Sequence, residues 1–160
     1  MYMTPWMYQT LLLSIEEERA KLREIIVDKS DTFSSFKSDN YDPSFHHICN
    51  MQGMIEGKLL GLEVIRDKVQ VVAIEDQSEL LKIGNRAVIS YDNGKKEDIS
   101  FTLEGDIIPS KYPDEEYLPI SVNSPIGKKV QGLKVGDKTS LDLGGKSITL
   151  TVTSILPPLR

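Results

Sequence analysis

The first 70 residues of the chain carry apolar positions at helical spacing. One stripe runs over residues 8–28 and a second over 48–69, and in both the apolar residues recur every three or four positions. Each stripe is too narrow to bury much surface alone, so we expect an antiparallel hairpin with coiled-coil-like packing. Asp42-Pro43 combines an N-cap residue with one favoured at the first helical position, which predicts that the second helix begins there.

Beyond residue 69 the pattern changes to the alternation typical of strands. The alternating segments are 69–74, 87–91, 99–103, 118–122, 139–143 and 147–155. Asn93-Gly94 and Gly144-Gly145 predict hairpin turns, and Ser124-Pro125 predicts the start of a short helix that reaches about Val130. The sequence therefore predicts an α+β protein. Residues 1–74 form the helical hairpin, with its tip at about 29–43, and residues 75–160 form an antiparallel sheet with one short helix.

Composition and charge exclude several classes of function. The formal net charge is -5, whereas direct binding to duplex DNA relies on Lys and Arg, so we expect contact with nucleic acid only indirectly, through a protein partner. No apolar run reaches the ~20 residues that span a bilayer, and the first residues lack a signal-peptide pattern, so we expect no membrane contact and a cytoplasmic location. No phosphate-binding loop, nucleophile elbow or cysteine pair supports a free-standing enzyme. Gly57 and Gly61, inside the second helix, are interpreted as sites of close helix approach.

The carboxylates between the two helices are the main candidates for chemistry. Asp28, Asp31, Asp39 and Asp42 lie where side chains at the end of a long arm could reach a metal held by another molecule. Mg²⁺ is often bound by only one or two carboxylates together with waters and substrate oxygens. The alternative is that these are ordinary loop residues, with Asp42 serving only as an N-cap.

Two segments resemble the GreA/GreB family of transcript cleavage factors. Residues 52–59, Gln-Gly-Met-Ile-Glu-Gly-Lys-Leu, are similar to the family's Q-[AG]-F-I-E-G-R-I segment in its second hairpin helix. Residues 120–128, Ile-Ser-Val-Asn-Ser-Pro-Ile-Gly-Lys, with Gly132, Val135-Gly136-Asp137 and Gly144-Gly145, are similar to its I-S-x-x-S-P-[LI]-G-[KR] … G-x-x-V-G-D … G-G pattern. The resemblance covers nearly the whole chain. It implies an N-terminal antiparallel coiled coil and a C-terminal domain of FKBP-like topology.

The resemblance also implies a function. Family members dock the C-terminal domain at the rim of the secondary channel of bacterial RNA polymerase and pass the coiled coil down the channel. Tip carboxylates then help to hold a Mg²⁺ and a water, so that the polymerase itself hydrolyses backtracked RNA. We accordingly expect a monomeric factor with no cofactor of its own beyond a Mg²⁺ shared with the polymerase. The docking segment is expected at Ser124, Pro125, Ile126 and Gly127, unless these residues merely cap the short helix and pack the sheet.

The tip departs from the family pattern. Aligning the family's tip tyrosine on Phe45 places Ser38 and Tyr41 at the two acidic positions, with Asp39 and Asp42 one residue later. A shift by one residue turns a helical side chain by about 100°. Asp39 and Asp42 are the candidate catalytic and Mg²⁺-binding residues. Two functions stay open, which are stimulation of RNA cleavage and a noncleaving regulator or inhibitor that occupies the channel.

Two hypotheses that differ from the function of this family also stay open. A prolyl isomerase is suggested by the FKBP-like topology that the resemblance implies. Its aromatic pocket would be supplied by the scattered candidates Phe101, Tyr112 and Tyr117. The other hypothesis is a structural adaptor that makes no contact with the polymerase.

Overall fold

The computed structural model describes residues 1–34, 43–74, 78–92, 96–107 and 116–158. The chain divides into two compact units, which we call the sheet unit (Met1–Thr10 with Val69–Arg160) and the helical unit (Leu11–Lys68). The elements in chain order are β1 (Tyr2–Met3), α1 (Pro5–Ser34), α2 (Pro43–Lys68), β2 (Gln70–Val71), β3 (Arg86–Asp92), β4 (Lys96–Glu104), β5 (Leu118–Ser121), α3 (Pro125–Val130), β6 (Lys138–Leu143) and β7 (Lys146–Leu156). The predicted α+β class is confirmed, while the predicted domain boundary at residue 74 stays a prediction.

Both predicted long helices are present, and α2 begins at Pro43 as expected. Within the helical unit, Lys29 late in α1 donates to Gln52 early in α2 at 2.9 Å, whereas Arg19 donates to Glu63 at 2.7 Å. Contacts in this order mean that the two helices run in opposite directions. Across the described parts of the chain, neither these helices nor α3 combine the length and apolarity needed to cross a membrane.

The interpretation of the α2 glycines as sites of close helix approach is wrong. Apart from chain neighbours and the helix's own backbone, no described atom lies within 4 Å of the position that a Cβ would take at Gly53, Gly57 or Gly61. Because the seam with α1 is formed by other positions of α2, these three glycines have open space beside them.

The main sheet has the strand order β5-β4-β3-β7-β6. Strand β3 pairs antiparallel with β4 and β7, and β6 pairs antiparallel with β7, as expected. The expectation of a purely antiparallel sheet is wrong at β5, which lies parallel to β4. Residues 105–117 separate these two strands, and a connection of about a dozen residues is long enough to bring the chain back in the same direction.

A second, two-stranded pair joins the first residues to the residues that follow α2. The predicted strand at 69–74 is reduced to β2, which pairs in parallel with β1. The hairpin between β6 and β7 turns at Gly144 and Gly145, whose φ angles of 57° and 83° suit glycine at both central positions of such a turn. The turn predicted at Asn93-Gly94 lies outside the described residues.

The core of the sheet unit lies between α3 and one face of the sheet. Phe101 and Leu103 of β4 and Ile89 of β3 are fully buried, and Val130 of α3 packs with them. The remaining buried members of this cluster are Leu81, Ala87, Leu141, Leu150 and Val152. The alternation seen in the sequence therefore places these apolar side chains on one face.

Candidate functional site

The predicted docking segment forms the start of α3. Ser124 is the N-cap, and its Oγ accepts a hydrogen bond from the backbone N–H of Gly127 at 3.0 Å, while Pro125 occupies the first turn. A Cβ at Gly127 would lie 2.0 Å from the carbonyl oxygen of Ser121, so only glycine fits at this position. The predicted helix start is confirmed, and the segment therefore has a structural role in capping α3.

An apolar groove of about 460 Å³ lies beside this segment. It is lined by Ile107, Pro119, Ile120, Ser121, Ser124, Pro125 and Ile126. Three of the four predicted docking residues thus reach the groove, whereas Gly127 is buried. Ile126 is half-buried and also packs against the core. A concave apolar surface with hydroxyl groups among its lining suits the apolar side chain of a partner.

The chain that leads from β5 into α3, and that lines most of the groove, is held by the end of β4. The backbone N–H of Val122 donates to the carbonyl oxygen of Glu104 at 2.7 Å, and Ser121 Oγ donates to the carbonyl oxygen of Gly105 at 2.6 Å. These bonds fix the chain that leads from β5 into α3. The groove is therefore a structured surface rather than a loose loop.

The same end of β4 binds the first residues of the chain. Glu104 is fully buried and accepts from Thr4 Oγ1 at 2.7 Å through Oε2 and from Trp6 Nε1 at 2.6 Å through Oε1. The backbone N–H of Tyr2 donates to Asp106 Oδ2 at 2.8 Å, and the backbone N–H of Asp106 donates back to the Tyr2 carbonyl oxygen at 2.6 Å. We call this set the N-terminal clasp; it comprises Tyr2, Thr4 and Trp6 together with Glu104, Gly105 and Asp106.

Sequence reasoning missed the N-terminal clasp. One signal was available, because Glu104 directly follows the alternating residues of a buried strand, where a carboxylate requires hydrogen-bond donors. A second was Trp6, the one tryptophan of the chain. Its indole N–H also needs an acceptor when the ring is partly buried. Neither signal identifies the partner, since the two residues lie far apart in sequence.

In the helical unit, reduced exposure recurs along α1 at alternate spacings of four and three. The positions are Leu11, Ile15, Glu18, Leu22, Ile25 and Lys29. Glu18 is the acidic member, with a side chain only 5% exposed, and its Oε1 accepts from Lys21 at 2.8 Å and from Lys58 of α2 at 2.7 Å. The hydrogen bond from Lys21, followed by that from Lys58, lowers the pKa of Glu18 below its ordinary value of 4.5, against the opposing effect of burial.

A second ion-pair group lies beside the first. Arg19 contacts Glu63 of α2 at 2.7 Å and Glu16 of its own helix at 2.8 Å. The hydrogen bond with Glu63, followed by that with Glu16, raises the pKa of Arg19. Glu18 and Arg19 thus each link the two helices through a charged contact, which favours one register of the helices over its neighbours.

Most of the tip lies outside the described residues, including the candidate carboxylates Asp39 and Asp42. Asp28 and Asp31 are exposed on the last turns of α1. Near them, the Lys29 ammonium lies 5.7 Å from the centre of the Phe45 ring. In the described parts of the chain no group of three or more His, Cys, Asp or Glu side chains could hold a metal ion. The predicted Mg²⁺ contact stays a prediction.

Comparison with known proteins gives a family match over the sheet unit. Residues 76–157 match the family model described as transcription elongation factor, GreA/GreB, C-term. The chain belongs to the GreA/GreB family. The predicted family is thereby confirmed, and the match covers the strands β3 to β7, the α3 helix and the residues that line the groove.

Individual relatives extend this similarity to most of the chain. The transcription elongation factor GreA of Thermoanaerobacter pseudethanolicus is 28% identical over 149 residues, which cover 90% of this chain and 92% of that protein. That of Acholeplasma laidlawii is 30% identical over 88 residues, or 55% of this chain and 52% of that protein. A solved structure of the transcription factor Gfh1 is 26% identical and covers 96% of both chains, with a TM-score of 0.44, too low to carry an argument about the fold.

Membership of the GreA/GreB family decides the general class of function. These proteins are transcription elongation factors, so the chain is an accessory factor of transcription and not a free-standing enzyme, as predicted. The family assignment also supports RNA polymerase as the partner. The roles that the family resemblance implies for Asp39, Asp42 and the four docking residues stay predictions.

Proposed function

We propose that this GreA/GreB family protein binds bacterial RNA polymerase as a monomer at the secondary channel and modulates backtracked complexes. The sheet unit, of FKBP-like topology, docks through the apolar groove beside Ser124, Pro125 and Ile126. The helices α1 and α2 form a coiled coil that enters the channel. Contact with nucleic acid is indirect, through the elongation complex, and the site of action is the cytoplasm.

The observation that carries the proposal is the apolar groove at the predicted docking segment. A concave apolar patch on a protein surface commonly marks a binding site. Here its walls come from β5, the start of α3 and Ile107. The bonds to Glu104 and Gly105 hold the chain that leads from β5 into α3. A docking surface with so little freedom loses little conformational entropy on binding.

The burial pattern of α1 supports the coiled coil. Spacings of three and four from Leu11 to Lys29 are those of a and d positions, and Glu18 provides a polar position of the kind that specifies register. A polar seam residue costs stability relative to an apolar one and favours one alignment of the two helices. Alignment matters in an arm that must present its tip at one defined place.

Docking can be tested with two substitutions in the groove. Ile126→Asp and Ile107→Asp each place a carboxylate among apolar walls, so we expect either to weaken binding to core polymerase by at least about tenfold. Val135→Asp is the matched control, since Val135 is an apolar residue that is 57% exposed and does not line the groove. Because Ile126 also packs against the core, a thermal melt accompanies each variant. Unchanged binding by folded Ile107→Asp would refute docking at this surface.

The tip decides between two forms of the proposed function. If Asp39 and Asp42 reach the polymerase active site, they would help to hold its Mg²⁺, which would activate a water for hydrolysis of the RNA. Ser38 and Tyr41 at the expected acidic positions favour the noncleaving regulator instead. Catalytic geometry tolerates displacements of only about 1 Å, so a one-residue shift is a serious departure.

RNA shortening in a stalled, backtracked complex separates these forms. For a cleavage factor, we expect the chain to accelerate shortening, and Asp39→Ala or Asp42→Ala to abolish the effect. For a noncleaving regulator, we expect no acceleration together with competition against an active factor. If the parent chain does not bind core polymerase at all, the proposed function is refuted and the structural adaptor is favoured.

We do not propose a prolyl isomerase. Of the three candidate pocket aromatics, Phe101 is fully buried in the core. The Arg86 guanidinium lies 5.1 Å from the centre of the Tyr117 ring. Tyr112 lies outside the described residues. A buried core ring cannot also line a substrate pocket.

A further inference from the structure

We propose that the N-terminal clasp is a positioning device, in which Glu104, Gly105 and Asp106 fix the start of α1 relative to the docking groove. The effect of the factor on transcription then depends on the bonds between the clasp and the start of α1, while its attachment to the polymerase does not. This inference rests on the function proposed above and adds residues to which that function assigned no role.

The first observation is that the segment Glu104-Gly105-Asp106 bonds in two directions. Toward the groove, Glu104 and Gly105 accept through their carbonyl oxygens from Val122 and Ser121 at 2.7 and 2.6 Å. Toward the first residues, the Glu104 carboxylate and the Asp106 backbone and carboxylate bind Thr4, Trp6 and Tyr2. One short segment thus joins the groove to the beginning of α1.

The second observation is that the clasp holds the cap of α1. Thr4 accepts from the backbone N–H of Met7 at 3.3 Å through Oγ1 and from that of Tyr8 at 2.9 Å through its carbonyl oxygen, which are the bonds of an N-cap. Glu104 binds this cap residue and the Trp6 ring of the first turn. It therefore restrains both the position and the rotation of the helix start.

The third observation is the close approach at Gly105. A Cβ on this residue would lie 2.2 Å from the carbonyl oxygen of Tyr2, so any side chain here must displace β1. Strand β1 is itself bonded to the residues after α2, because Gln70 N–H donates to Met1 and Val72 N–H donates to Met3 at 3.0 and 2.9 Å. Displacing β1 therefore loosens the start of α1 and the residues that follow α2.

The effect of such loosening grows with the length of the helix. The 30 residues of α1 extend about 45 Å at 1.5 Å per residue. A tilt of about 10° at the base would move the far end by about 8 Å, whereas reactive groups must be placed to within about 1 Å. A clasp that limits this tilt matters most for an action performed at the far end.

Gly105→Ala and Trp6→Phe open the clasp in different ways. The first displaces β1, and the second removes one hydrogen-bond donor to Glu104 and keeps an aromatic ring. Tyr91→Phe is the matched control, since it also removes one aromatic donor to a glutamate, Glu97, outside the clasp. Amide hydrogen exchange, affinity for core polymerase and the effect on transcript length are measured for each variant.

For Gly105→Ala we expect exchange at the backbone N–H groups of Gln70, Val72 and Asp106 to rise by about tenfold or more, with Ile89 in the core unchanged. We expect Trp6→Phe to raise exchange at the same three groups, to a lesser extent. For Trp6→Phe, which leaves the bonds to the groove intact, affinity for polymerase should stay within about threefold of the parent chain, while the effect on transcription falls by at least about tenfold. Tyr91→Phe should leave all three measurements unchanged.

Two results would overturn the inference alone. One is faster exchange at the clasp with the effect on transcription retained, and the other is an equal loss of affinity and effect in Trp6→Phe. If Gly105→Ala also loses protection at Ile89, it has unfolded, and Trp6→Phe decides the question by the same measurements. A parent chain that does not bind polymerase would instead refute the proposed function, and this inference with it.

Discussion

The Glu18 contacts provide a direct test of what holds the helical unit in register. Glu18→Gln keeps the size of the side chain and removes its charge, so both lysine contacts lose their ionic character. Glu18 is 5% exposed, but Lys21 and Lys58 are 52% and 57% exposed, and solvent screens such pairs. An exposed ion pair contributes about 0.2–1 kcal/mol, and a hydrogen bond to a buried charge contributes more. We expect the free energy of unfolding of this unit to fall by about 1–2 kcal/mol.

Urea denaturation followed by the circular dichroism of the helices measures this change. Glu24→Gln is the matched control, because it makes the same chemical change at an exposed position of α1. The contribution of the contact between helices is isolated by a double-mutant cycle of Glu18→Gln with Lys58→Met. If Glu18→Gln costs no more than Glu24→Gln, the contacts of Glu18 do not stabilise the hairpin and the argument for register fails.

The pH dependence of the same difference follows from the lowered pKa of Glu18. Folding favours the charged carboxylate, so the stabilisation is fully present above the ordinary pKa of 4.5. It declines as the pH falls below that value and is lost once the pH is below the lowered pKa of the folded state. We therefore expect the difference between the parent chain and Glu18→Gln to be constant near neutral pH and to vanish in acid. A difference that grows in acid would contradict this reasoning.

Substitutions at three further positions test local features of the fold by thermal or urea unfolding. Gly57→Ala should stabilise the helical unit by about 1 kcal/mol, since alanine favours a helix and the Cβ meets no described atom; destabilisation would show that this face is occupied. Gly127→Ala should destabilise the sheet unit by about 1–3 kcal/mol or more, because its Cβ would meet the Ser121 carbonyl oxygen, and an unchanged melt would contradict that packing. Ser124→Ala should cost about 1 kcal/mol through loss of the cap to α3, whereas Ser124→Asp should largely preserve stability.

The sequence alone determined the elements whose signals are local. Helical periodicity identified α1 and α2, and Ser124-Pro125 and Gly144-Gly145 marked the start of α3 and the last hairpin. These signals are read over a few residues, where propensity, capping and turn chemistry act. The docking role of Ser124, Pro125, Ile126 and Gly127, implied by a contiguous motif, stays a prediction.

Only the tertiary structure decided which distant residues meet. Alternation along β5 cannot reveal whether its partner lies parallel or antiparallel, because both directions bury the same face. The groove likewise requires Ile107 to lie beside Ile126, and the clasp requires Trp6 to meet Glu104. Such pairings depend on how the chain returns through space. A buried carboxylate needs hydrogen-bond donors, but the sequence does not indicate where along the chain those donors lie.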